Sequence, residues 1–161
     1  MKIVITGANG FIGNALFEYY AREANDIIGL NSKTYKRYKN GRIENGDYDT
    51  ILDFDIENFD IVYHFGWSGT AGRENRSDWE LQLSNLQFTL ELYTFCSSQN
   101  IGNFVYSASV YENEVISDLF FPTEPQLNRL TNVYGAAKIS TNVFLNALRN
   151  DKLPISIIRI S

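Results

Sequence analysis

Eight residues near the start, Thr6-Gly7-Ala8-Asn9-Gly10-Phe11-Ile12-Gly13, constrain this chain more than any other stretch. They follow a short β-branched run, Ile3 to Ile5, and lead into Ile12, Ala15, Leu16 and Tyr19, which recur at helical period. A strand that turns at once into a helix needs glycine where the turn is tight and where helix packs closely on sheet. It needs bare backbone where an anion is to reach N–H groups at the helix N-terminus. One glycine could be a turn former and nothing more. Three at spacings of three and three, in this context, predict a dinucleotide pyrophosphate held by Gly7, Asn9, Gly10, Phe11, Ile12 and Gly13.

The rest of the chain repeats the alternation. Ile3–Ile5, Ile27–Leu30, Ile61–Phe65, Phe104–Tyr106 and Ile155–Ile160 are short apolar runs of the kind found in strands covered on both faces. Between them lie helical stripes, Trp79, Leu83, Leu86 and Leu90, then Val133, Ala136, Ser140, Val143 and Ala147. Strand and helix in alternation predict one α/β domain over residues 1–161, a doubly wound parallel sheet in the order 3-2-1-4-5-6. The third strand is read at Arg42–Glu44, short and polar, and Asn31–Asn40 is read as irregular. The longest loop is expected from about Glu112 to Leu130, with Pro122 and Pro125 inside it.

Composition removes other classes. Fourteen Lys and Arg against nineteen Asp and Glu give a net charge of −5, and basic residues cluster only at Lys33, Lys36, Arg37 and Lys39, so nucleic acid is not an expected partner. No apolar run approaches the roughly 20 residues of a membrane span, and the first residues reach glycine too soon for a signal peptide, so a cytoplasmic protein is expected. A single cysteine, Cys96, and a single histidine, His64, leave neither a disulfide nor a metal cluster to propose. Cys96 is expected as a packed thiol on a helix and His64 as a structural residue of the fourth strand.

Tyr134 and Lys138 stand four apart, on one face of the last helical stripe. A tyrosine hydroxyl works as a base near neutral pH only with a cation close by to favour the phenolate, and Lys138 is so placed. Together with Thr6-Gly-x-x-Gly-x-x-Gly13, the Tyr134-x-x-x-Lys138 pair resembles the extended short-chain dehydrogenase/reductases, also called NAD-dependent epimerase/dehydratases. The resemblance runs over almost the whole chain: Asp60-Ile-Val-Tyr-His-Phe-Gly66 is similar to that family's fourth strand, Asn85 to its mid-helix asparagine and Arg159-Ile-Ser161 to its sixth strand.

The resemblance implies a Rossmann fold, a nicotinamide cofactor and a nucleotide-sugar substrate. It implies that Ser107, four residues before Tyr111, hydrogen-bonds the reacting oxygen, with Ser109 as the competitor. Tyr134 exchanges the hydroxyl proton and Lys138 also holds the nicotinamide ribose. Asp47 resembles an adenine-contacting aspartate, and Asn85 a residue that orders the site. Phe65, Gly66 and Trp67 stand where relatives usually have small apolar residues, so Trp67 is read as a possible wall of the nicotinamide or sugar site. Glu124 and Pro125 resemble a loop that touches substrate.

Two departures narrow this reading. Where such folds commonly carry an acidic residue at the end of the second strand, this chain has Asn31, followed by Ser32, Lys33 and Arg37. A neutral amide tolerates a 2′-phosphate and the cations attract it, so NADP is favoured over NAD. Dehydratases of the family carry an Asp-Glu pair after the catalytic Ser or Thr, whereas Ala108 and Ser109 stand here. An epimerase or a 4-keto reductase is therefore expected, an isomerase or oxidoreductase in class. A non-catalytic NAD(P)-binding sensor and a reductase of a non-sugar carbonyl are the alternatives. Relatives continue into a smaller substrate domain, so the chain is expected to lack it, to bind cofactor and to turn over no nucleotide sugar alone. Apolar surface left uncovered by that domain is one route to self-association, and the resemblance implies another, a homodimer through the helices around Trp79–Ser97 and Thr131–Arg149.

Overall fold

A computed structural model describes residues 1–23, 26–120, 133–149 and 152–160. In chain order these form β1 (Lys2–Thr6), α1 (Phe11–Tyr20), β2 (Asp26–Leu30), β3 (Thr34–Lys39), β4 (Arg42–Asp47) and a 3-10 turn (Ile51–Asp53). There follow β5 (Ile61–His64), α2 (Arg73–Ser77), α3 (Trp79–Ser98), β6 (Phe104–Ser109), α4 (Tyr111–Phe120), α5 (Val133–Leu148) and β7 (Ile155–Ile160). Among the described residues no helix is long and apolar enough to cross a membrane.

The seven strands make one sheet in the order β4-β3-β2-β1-β5-β6-β7. β1 pairs in parallel with β2 and β5, and β5 with β6, as buried apolar strands joined by helices do. The left edge corrects the expected order. Thr34–Lys39 is a strand, not irregular chain, and with Arg42–Asp47 it forms an antiparallel hairpin laid against β2. The reason is Asn40-Gly41, with φ of 52° and 80°, a two-residue turn that directs the chain straight back. The half-exposed, polar residues of this hairpin suit an edge with one solvated face.

The loop expected from Glu112 is likewise corrected in its first part, which is α4. Ser109 Oγ accepts from Tyr111 N at 3.3 Å while Ser109 N donates to Glu112 Oε1 at 2.8 Å, a reciprocal capping box that starts the helix. Pro122, Glu124, Pro125 and Thr131 lie outside the described residues.

Helix faces also differ from expectation. On α5 the buried residues are Tyr134, Gly135, Lys138, Thr141 and Leu145, while Val143 of the expected apolar stripe is 64% exposed. On α3 Trp79 and Leu83 are exposed, and Gln82, Thr89, Leu92, Tyr93 and Cys96 are buried. On α1 Gly13 and Phe17 are buried rather than Ile12 and Tyr19. The helical period was legible; which side packs was not, because polar groups with internal partners can line a buried face.

The chain divides into two compact units. Met1–Gly66, Leu92–Tyr106 and Arg149–Ser156 form the first, with a core of Ile3, Ile5, Ala8, Phe17 and Ile27 flanked by Leu16, Tyr20, Tyr63 and Phe65. Cys96 is fully buried there, and burial pushes its thiol up to about 12. Trp67–Glu91, Ser107–Leu148 and Ile157–Ser161 form the second.

Candidate active site

In the first unit the glycine turn is built as tightly as its sequence implies. Gly7 has φ of 69°, and a Cβ there would lie 2.8 Å from Gly66 N. A Cβ on Gly13 would collide with Gly7 O. Gly10 N donates to Gly7 O at 2.9 Å and α1 begins at Phe11, which is 95% exposed. The turn thus presents a helix N-terminus over bare backbone, the form that fits a pyrophosphate.

His64 takes a structural part in the same turn. Gly66 N donates to Thr6 Oγ1 at 3.0 Å, and Thr6 Oγ1 lies 2.7 Å from His64 Nδ1, tying the ends of β1 and β5 together. Phe65 stacks on Tyr63 at 5.8 Å, packed against the core.

Asn31 sits at the end of β2 as expected, and its Oδ1 accepts from Asn9 N at 2.8 Å. Beside it a cavity of about 330 Å³ is lined by Asn9, Asn31, Thr34, Tyr35, Lys36, Asn45, Gly46 and Asp47. The expected Asn31 and Asp47 therefore share one cavity, with Thr34, Tyr35, Lys36 and Asn45, which only the hairpin could bring there. Ser32 and Lys33 are exposed on the connecting turn.

Arg37 is a correction. Its Nη2 and Nε bind Asp26 at 2.5 and 2.8 Å, and Lys39 Nζ lies 3.6 Å from the same carboxylate, so Arg37 serves the ion pair and not a phosphate. Asp26 is 4% exposed, and a buried carboxylate is held by such partners. Lys36 donates to Asn14 Oδ1 at 2.8 Å over the Phe17 ring, 4.2 Å from its centroid.

In the second unit Ser107, Tyr134 and Lys138 are all buried. Lys138 Nζ donates to the Ser107 carbonyl at 2.8 Å, which fixes the end of β6 against α5. Burial pushes the Lys138 ammonium down to about 7, with the Glu112 carboxylate pulling the other way. Ser109, the competitor of Ser107, is taken up in the capping box, which leaves Ser107 as the candidate at this strand end. Asn85 exchanges two 2.9 Å hydrogen bonds with the Ser68 backbone, holding the segment that carries Trp67.

Trp67 lies against the pair: its ring is 3.9 Å from Lys138 Nζ and meets the Tyr134 ring edge-on at 6.1 Å. Three further residues act on the pair or on Trp67 and were not singled out in the sequence as part of the site. Gln82, fully buried, accepts from Trp67 Nε1 at 2.7 Å. Arg76 donates to Tyr111 OH at 2.9 Å and lies 5.7 Å from the Tyr134 ring centroid. Glu112, 1% exposed, also accepts from Asn142 Nδ2 at 3.3 Å. The Ser109-x-x-Glu112 spacing was a readable signal for Glu112; Arg76 and Gln82 had none in a single sequence.

Comparison with known proteins shows the fold and the family. An ADP-L-glycero-D-manno-heptose-6-epimerase of Alkalilimnicola ehrlichii is 26% identical over 92% of this chain and 48% of its own length. A UDP-N-acetylglucosamine 4-epimerase from Methanobrevibacter ruminantium, solved with UDP-N-acetylmuramic acid, superposes with a TM-score of 0.70 at 17% identity, over 98% of this chain and 54% of that one. A UDP-glucuronic acid 4-epimerase from Bacillus cereus, solved with NAD, gives 0.64 at 18% identity, over 99% and 55%. The chain spans about half the length of the relatives it matches. The family model for the NAD dependent epimerase/dehydratase family matches residues 3–161, and the chain belongs to that enzyme family.

Proposed function

We propose that this chain is the cofactor-binding and proton-transfer part of a nucleotide-sugar epimerase or 4-keto reductase. The observation that carries the reading is Lys138, buried between the Ser107 carbonyl and Trp67 one helical turn from Tyr134. A buried ammonium is costly, and such groups are retained where chemistry uses them. A dinucleotide sensor has no use for it.

The glycine turn fits a dinucleotide, because Gly7 and Gly13, where a Cβ would strike the backbone of Gly66 and Gly7, let β1 turn at once into a helix whose N-terminus is open to an anion. When bound, a nicotinamide cofactor supplies the hydride acceptor and donor. Gly7, Asn9, Gly10, Phe11, Ile12 and Gly13 hold its pyrophosphate, and Asn31, Ser32, Lys33 and Asp47 its adenosine end. Tyr134 takes the sugar hydroxyl proton and returns it, Ser107 hydrogen-bonds the reacting oxygen, and Lys138 keeps positive charge beside the tyrosine and holds the nicotinamide ribose. Phe65, Gly66, Trp67 and Asn85 wall and order the nicotinamide end. Ala108, buried, and Ser109, engaged in its cap, provide no acid–base pair for expelling water, which favours epimerisation or reduction over dehydration.

Asn31 and Lys36 at the cavity favour NADPH, and the 2′-phosphate reading loses Arg37 to Asp26. Exposed Trp79, Leu83, Phe88, Val143 and Phe144 on α3 and α5 support a homodimer through these helices. The test is titration with NADPH and NADH, following Trp67 and Trp79 fluorescence. Saturable binding, tighter for NADPH, is expected; a preference for NADH overturns the Asn31 assignment, and binding of neither overturns the cofactor reading.

A further inference from the structure

We propose that Trp67 is a positioning residue for Lys138, its indole anchored by Gln82 so that the ammonium is held against the ring face beside Tyr134. The proposal rests on the reading of Lys138 given above and names the group that sets its place and charge. Lys138 Nζ lies 3.9 Å from the Trp67 ring centroid, inside the range in which an indole face attracts a cation.

The indole is fixed at its other end. Gln82 is fully buried on α3, and both polar ends of its amide are used: Oε1 accepts from Trp67 Nε1 at 2.7 Å, and Nε2 donates to Asn75 O at 2.9 Å and Gly69 O at 3.3 Å. A buried indole N–H needs a partner in any setting; here the partner is an amide itself fixed at its other end, so the bond also fixes where the ring lies. Asn85 clamps the adjoining Ser68 backbone from the same helix. The ring is thereby set before any ligand arrives, and it contacts Lys138 and Tyr134 together.

Other charged or titratable groups face Lys138 from the elements packed around it. Glu112 on α4 favours the ammonium. Arg159 on β7 lies 3.8 Å from the Glu112 carboxylate. Tyr134 shares α5, and Arg76 on α2 lies over the Tyr111 and Tyr134 rings. Burial drives the Lys138 ammonium down to about 7, so a ring face that favours the charged form acts where the charge is most easily lost.

The experiment is a pH titration of the chain labelled with 13C at lysine Cε, with the Lys138 resonance identified by its loss in Lys138→Met. In the unsubstituted chain that resonance is expected to carry an upfield ring-current shift. Trp67→Leu should abolish the shift and lower the Lys138 midpoint by about one unit. Trp67→Phe, which keeps a face but not the N–H, should recover part of both and guards against a misfolded Leu variant. Gln82→Leu should move the midpoint the same way by less. A midpoint that stays or rises in Trp67→Leu, or no recovery with Phe, overturns the proposal. NADPH binding measured on the same samples separates the two readings: its absence in the unsubstituted chain sinks the cofactor assignment and leaves the Trp67–Lys138 result standing.

Discussion

The two units bury different things. Among the described residues of the first, the interior is mainly aliphatic and aromatic, Ile3, Val4, Ile5, Ile27, Ile28 and Phe17, with Thr6 and His64 buried against each other and Asp26 beside Arg37 and Lys39. Among the described residues of the second, the buried apolar side chains are Ala108, Val115, Tyr134 and Leu145, whereas Gln82, Thr89, Ser107, Ser109, Glu112, Lys138 and Thr141 are buried and polar. Apolar burial stabilises without regard to direction, while a buried polar group helps only when its partners are in place. The first unit is thus held mainly by apolar packing and the second by polar groups whose partners are fixed. Burial of the Lys138 ammonium carries a cost that the apolar interior of the first unit does not.

This contrast can be tested most severely at Gly13. Gly13→Val drives a branched side chain into Gly7 O and should weaken dinucleotide binding by at least about 100-fold, read by fluorescence titration, because the anion site is backbone alone. A loss under threefold would mean that the turn is not the binding element.

At Lys138 the opposite sign is expected. Its folded pKa, about 7, lies below the unfolded value of 10.5, so between these pH values the unfolded chain binds the proton more readily and stability rises with pH. Lys138→Met should therefore stabilise the chain at pH 7, by about 2 kcal/mol in urea unfolding, less than the full displacement because Trp67 and Ser107 lose a partner. Destabilisation at pH 7 would show that the ammonium is a net structural asset.

Smaller effects sharpen the comparison. Asn31→Asp keeps an acceptor for Asn9 N and places a carboxylate at the cavity, and should shift the NADPH-to-NADH affinity ratio towards NADH by about tenfold. Ser109→Ala removes half of the capping box and should cost about 1 kcal/mol in thermal unfolding, without altering NADPH affinity.

Much of this was legible in one sequence. The glycine turn, the parallel strands and the Tyr134–Lys138 spacing each follow from a local rule, backbone bareness, strand apolarity or helical period, and each reappears where expected. The hairpin was missed, Asn31–Asn40 being expected as irregular, although Asn40-Gly41 carried its signal, since a turn needing two positive φ values favours that pair. Helix faces were not legible, because period fixes which residues share a side but not which side meets the core; only packing turned Tyr134 and Lys138 inward and Val143 outward.

The sequence by itself determined the alternation of the parallel strands with α1, α3 and α5, the glycine turn and the presence of a tyrosine and a lysine one turn apart, since these depend on neighbours along the chain. Tertiary structure alone decided that Arg37 belongs to Asp26, that Ser109 caps while the Ser107 carbonyl accepts from Lys138, and that Trp67, held by Gln82, and Glu112 act on Lys138. Most of those partners lie far apart in the chain, and a charge or hydrogen bond acts through space, so their pairing exists only once the fold has brought them within a few ångströms.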